Sequence, residues 1–191
     1  MRNESVYRLV LLALLAALVV LLGLTPLGLI PLGFINVTIL CVPVLVGTMT
    51  LGLSSGLVLG LCFGAVSAAT AFTRPSALVA TLLAASPVLT LLMSLLPRLA
   101  VPAVAWGVGR LLDRPSRQKW RLPAAAVAGS LTNTVLYLGL MLLFYVLTGL
   151  DAASVLTLIA GIGLIAGGCE AVVAAILVTP ITLALQKAQR A

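Results

Sequence analysis

From Leu9 to Thr73 the chain carries no charged residue, an uninterrupted run of 65 positions. A helix needs about 20 apolar residues to cross a bilayer, so the run is long enough for three crossings separated by turns. The rest of the chain continues in the same way. Over all 191 residues, 62% are hydrophobic and only 8% charged, where soluble domains run near ~25% charged. A water-surrounded fold is excluded, and the seventeen glycines and ten prolines suit membrane helices. The sequence reads as an all-α integral membrane protein.

Proline, glycine and charge divide it into six transmembrane helices within a single domain. The first spans 6–24 and ends at Thr25-Pro26; a Pro/Gly-rich loop follows, Leu27 to Phe34. The second spans 37–51, with Pro43 as an expected kink, and Ser54-Ser55-Gly56 turns the chain into the third, 57–72. After a short apolar segment, Ala77 to Ala85, the fourth spans 87–112 and the fifth 122–147. The remainder is too long for one untilted span and predicts a short re-entrant piece before a sixth, 163–186. No A-x-A cleavage site follows the first apolar run, so it is expected to be retained as a helix.

Charge sets the expected orientation. Six spans put both termini on one side, together with the linker Arg110 to Arg121; that side then holds nine of the eleven basic residues. By the positive-inside rule it is cytoplasmic. Topology alone accounts for the linker's charge, without a nucleic-acid partner; the alternative reading of it is an RNA- or lipid-binding patch.

Several chemistries are absent from the composition. The chain has no histidine, which removes Ser-His-Asp and Cys-His hydrolysis and the common zinc sites. Cys41, Cys62 and Cys169 are far apart in apolar sequence and read as small packing residues. No G-x-x-x-x-G-K-[ST] phosphate loop occurs. The expectation is a non-enzyme without metal or cofactor.

Three polar residues lie where polarity is expensive. Arg98 stands twelve residues before Arg110, about 18 Å along a helix. Charge at such depth costs at least ~2.5–3.5 kcal/mol and normally faces a partner or a polar cavity. Asn133 lies twelve residues beyond Arg121, and Glu170 seventeen before Lys187. Either Arg98 pairs with Glu170 in a structural network, or the three converge on a solute pocket. Tyr137, on the stripe that begins at Thr132, and Asn36 and Thr38, beyond the first loop, are further candidates for that pocket. A guanidinium suits a substrate carboxylate by its two-pronged donor geometry. Small residues recur every four along the third helix, Gly56, Gly60, Gly64 and Ala68, a pattern for close helix packing. Ala13 and Ala17 do the same on the first helix and are open to either packing or a partner.

These segments resemble the substrate-binding S components of energy-coupling-factor (ECF) vitamin transporters. The resemblance covers nearly the whole chain. It is carried by Pro31-Leu32-Gly33-Phe34-Ile35-Asn36-Val37-Thr38, Pro97-Arg98-Leu99, Gly129 to Val135, and Glu170 to Ala175. Within the family the pantothenate/riboflavin-type branch is most similar. The resemblance implies a bacterial plasma-membrane protein that captures a vitamin from outside. It implies docking, through Ala13 and Ala17, on a module of one transmembrane coupling subunit and two ATPase subunits. One departure is Gly167-Gly168-Cys169 before Glu170, where the pantothenate-like members imply an Asn-containing turn. Arg98 suits an acid, and Trp106 and Trp120 are poorly placed for ring stacking, so pantothenate is the expected substrate. The rival expectation is a ligand-free scaffold of the bacterial cell-shape machinery.

Overall fold

The computed structural model describes residues 4–25, 28–31 and 36–190. Helix α1 (Glu4–Leu24) leads into a small antiparallel hairpin, β1 (Leu29–Pro31) and β2 (Asn36–Thr38), paired Leu29 to Thr38 and Pro31 to Asn36. Then come α2 (Cys41–Leu51), α3 (Leu53–Thr73), α4 (Ala77–Ala85) and α5 (Pro87–Leu111). A linker holding one short 3-10 turn, Pro115–Arg117, precedes α6 (Gln118–Leu147). Finally α7 (Ala152–Leu158) passes through a π-helical turn, Ile159–Gly163, into α8 (Leu164–Arg190). Among the described residues α1, α3, α5, α6 and α8 are long and apolar enough to cross a membrane. The protein is an all-α membrane bundle with one small hairpin.

Helix α2 departs from expectation. At 11 residues it reaches only about 16 Å, because the chain at 36–38 is hairpin rather than helix. Pro43 falls in its first turn, where a missing N–H costs nothing, so it produces no kink. All its residues but Thr50 are buried, and it touches α1, α3, α5, α6 and α8. A helix that is apolar on every side belongs at the centre. It is the pin around which the long helices stand.

The turn into α3 also shifts. Gly52, with φ of 97°, makes the reversal alone, a conformation other residues adopt only with strain. Ser54, Ser55 and Gly56 then belong to the first turn of α3. The small residues downstream serve α5: a Cβ on Gly60 would stand 2.7 Å from the Arg98 carbonyl oxygen, and one on Gly64 2.8 Å from Leu95. Pro102 cannot donate to that Arg98 carbonyl, so the bare strip of α3 lies against exposed α5 backbone.

Two ends can be told apart. At one end Arg8 Nη2 donates to the Leu51 carbonyl at 2.7 Å, and Gln186 Nε2 to the Met49 carbonyl at 3.1 Å. These bonds close the last turn of α2, whose final carbonyls lack partners within the helix. The α5–α6 linker shares this end, since Gly109 packs on Met49. The opposite end carries the hairpin, α4 and α7. There Tyr145 Oη donates to the Leu78 carbonyl at 2.6 Å, fastening α4 to α6, with Val79 and Leu82 buried against Met93, Tyr145 and Val155. Asp151 caps α7 by accepting from the Ala153 amide and the Ser154 hydroxyl. Those bonds, the Ser154 hydroxyl first, hold its carboxyl below the usual carboxylate range.

Candidate functional site

Helix α5 would lose one hydrogen bond at Pro97, which has no N–H to offer the Met93 carbonyl four residues back. Arg98 repairs the loss: its Nη1 donates to that carbonyl at 3.2 Å. Two aromatic rings hold the same guanidinium. Its carbon stands 4.6 Å from the Tyr137 ring centroid on α6 and 5.3 Å from that of Phe63 on α3. A cation over a ring face in a desolvated site gains about 2 kcal/mol. Arg98 is only 8% exposed, yet its charge is held by a carbonyl and two π faces.

This arginine lines a cavity of about 520 Å³ at the hairpin end of the bundle. Asn133, Thr134 and Tyr137 face it from α6, Phe63, Ser67 and Thr70 from α3, and Ser94 from α5. Glu170 enters from α8, accepting from the Thr134 hydroxyl at 3.3 Å. Gly167, one turn earlier, permits the contact: a Cβ there would stand 2.8 Å from the Thr134 side chain. The π-helical turn reaches the same wall through Gly163. Arg74 and Ser76, just beyond α3, complete the rim. Two cations and one carboxylate thus share a cavity within an apolar bundle.

Two buried atoms in this wall, Arg98 Nε and Asn133 Oδ1, have no hydrogen-bond partner among the described residues. Each such omission costs about 1–3 kcal/mol, more when the group is charged. One is a donor and the other an acceptor. A bound solute offering an anionic acceptor beside a hydroxyl or amide donor would answer both.

Of the residues expected from sequence, Arg98, Asn133, Tyr137 and Glu170 come together from three helices. The side chains of Asn36 and Thr38 lie outside the described residues; their backbone forms β2. Ala13 and Ala17 are exposed on α1, on the side opposite Leu11, Leu15 and Val19, which are buried. Thr132, part of the same polar stripe, bonds to the Ala128 carbonyl of its own helix and is not a cavity residue. Sequence reasoning passed over Phe63, Ser94 and Arg74 as site residues, while Thr134 was seen only as part of the polar stripe. A serine one turn before a mid-membrane arginine was the available signal for Ser94; a lone Phe in an apolar helix gave none.

No curated protein matches this chain. The match comes from a family model instead, that of the ECF transporter substrate-specific component, which covers residues 7–182. A helical membrane bundle with a charged cavity fits that description. The protein therefore belongs to the substrate-specific components of ECF transporters, subunits that serve transport rather than catalysis.

Proposed function

We propose that this chain captures a small acidic vitamin, pantothenate, from outside a bacterial cell. It delivers the vitamin by docking on a coupling transmembrane subunit driven by two ATPase subunits. The observation that carries the reading is Arg98, fixed between Phe63 and Tyr137 in one cavity with Asn133 and Glu170. Arg98 receives the carboxylate, while Asn133 and Glu170 accept from hydroxyl and amide groups. Asn36 and Thr38 belong to the same proposed site from the hairpin side. The six spans of a single domain are the five long helices plus α2 with its hairpin, and both termini are cytoplasmic, as is the basic linker.

The aromatic surface of the cavity supports the acid over a flat ring system, because Phe63 and Tyr137 both face the guanidinium. The cavity and the family weigh against the ligand-free scaffold. A thermal-stability screen of the purified protein against water-soluble vitamins tests the assignment. Pantothenate at 100 times its dissociation constant is expected to add ~2.7 kcal/mol of stability. Stabilisation by another vitamin, with no response to pantothenate, would overturn the substrate and keep the transport role. Silence across the whole panel would sink vitamin capture.

A further inference from the structure

Between α5 and α6 the chain leaves the apolar bundle for a short, strongly basic passage. Arg110, Arg114, Arg117 and Lys119 are exposed there. Its only acid, Asp113, is engaged by Arg121 at 3.6 Å, so the exposed cations have no local counter-charge within the passage. Two large apolar side chains stand among them: Leu111, 74% exposed at the end of α5, and Trp120, 61% exposed in the first turn of α6. Trp106 is covered by Arg110, whose guanidinium lies 4.9 Å from its ring centroid. Trp120 has no such cover among the described ring contacts.

Position decides what meets this surface. Leu111 and Trp120 sit at the ends of two membrane-crossing helices, the level at which tryptophan is favoured among lipid headgroups. Each basic residue near an anionic leaflet gains about 1 kcal/mol, a factor of about five. An acidic protein surface would match the cations but not two apolar anchors at headgroup depth. We propose that residues 110–121 bind anionic phospholipid headgroups. Trp120 and Leu111 are inserted at the interface, and Arg114, Arg117 and Lys119 rest on the phosphates.

The test uses the full chain in lipid nanodiscs, with Trp106→Phe leaving Trp120 as the one tryptophan. Brominated phosphatidylglycerol and brominated phosphatidylcholine are compared at equal mole fraction as quenchers of its fluorescence. The anionic lipid is expected to quench several-fold more strongly, and that advantage should shrink as salt rises. It should fall to near parity in Arg114→Gln/Arg117→Gln/Lys119→Gln, whose changes touch only exposed positions and should leave the thermal midpoint unchanged. Equal quenching by the two lipids would overturn the proposal, as would an advantage that survives the triple variant. Equal quenching together with lost assembly on the ATPase-bearing module would assign the surface to a protein partner instead.

Discussion

Arg98 is tolerable because of its neighbour. Pro97 removes an N–H, the Met93 carbonyl needs a donor, and the next side chain along supplies it. That bond leaves Nε, which has no partner among the described residues, to meet a ligand carboxylate. Arg98→Ala is accordingly expected to lower vitamin affinity by at least 10- to 100-fold, the range of a charge-assisted hydrogen bond. Arg98→Lys should recover part of the loss, since it keeps the charge without the fork. Calorimetric titration checks both, with gel filtration reporting that the variants stay folded; unchanged affinity in the alanine variant would remove Arg98 from the site. Arg98, Asn133 and Glu170 were legible in sequence because a polar group deep in an apolar run has few bland explanations. Phe63 was not, since an aromatic facing a cation and one facing a leucine are written the same way. Arg74 was visible only as a loop charge, because nothing in the sequence says that the end of α3 folds over the cavity.

The helices show the same division between what residue spacing can reveal and what packing decides. The long spans follow from length and hydropathy, and Ser86-Pro87 announces α5: the Ser86 hydroxyl accepts from the Leu89 amide, with Pro87 in the first turn. The shortness of α2 does not follow, because Ile39 and Leu40 would suit either a helix or the hairpin exit that the structure shows. The glycine strip of α3 was readable as a packing face, and its partner is α5. Gly60→Leu should drive that interface apart and cost 1–3 kcal/mol or more, read as a lowered thermal midpoint. Gly107→Leu, where a Cβ would meet nothing within 4 Å, is the control and should leave the midpoint nearly unchanged. Equal midpoints for the two variants would mean that α3 and α5 do not need their close approach.

At the scale of the whole molecule, α1 is the peripheral helix, buried along only one stripe. Ala13 and Ala17 lie on its outward face, flanked by exposed Leu9, Val10, Leu14 and Leu18. A flat patch of that kind admits close approach by another helix. Replacing both alanines with tryptophan should leave ligand binding within about twofold and abolish uptake by cells supplied with the coupling module. Undiminished uptake would return the pair to a lipid-facing role. The outward face was not legible in sequence, because Val10, Leu14 and Leu18 repeat every four residues just as Leu11, Leu15 and Val19 do; packing decides which stripe turns inward.

The cavity occupies only the hairpin half of the bundle. Below Arg98 the interior is filled by Leu45, Leu59, Val101, Ala105 and Ala126, all buried in one apolar core. A solute held at Arg98, as proposed, would meet packed apolar side chains there rather than an open path. Idle copies of this subunit are therefore expected to leave a membrane's ion gradients intact.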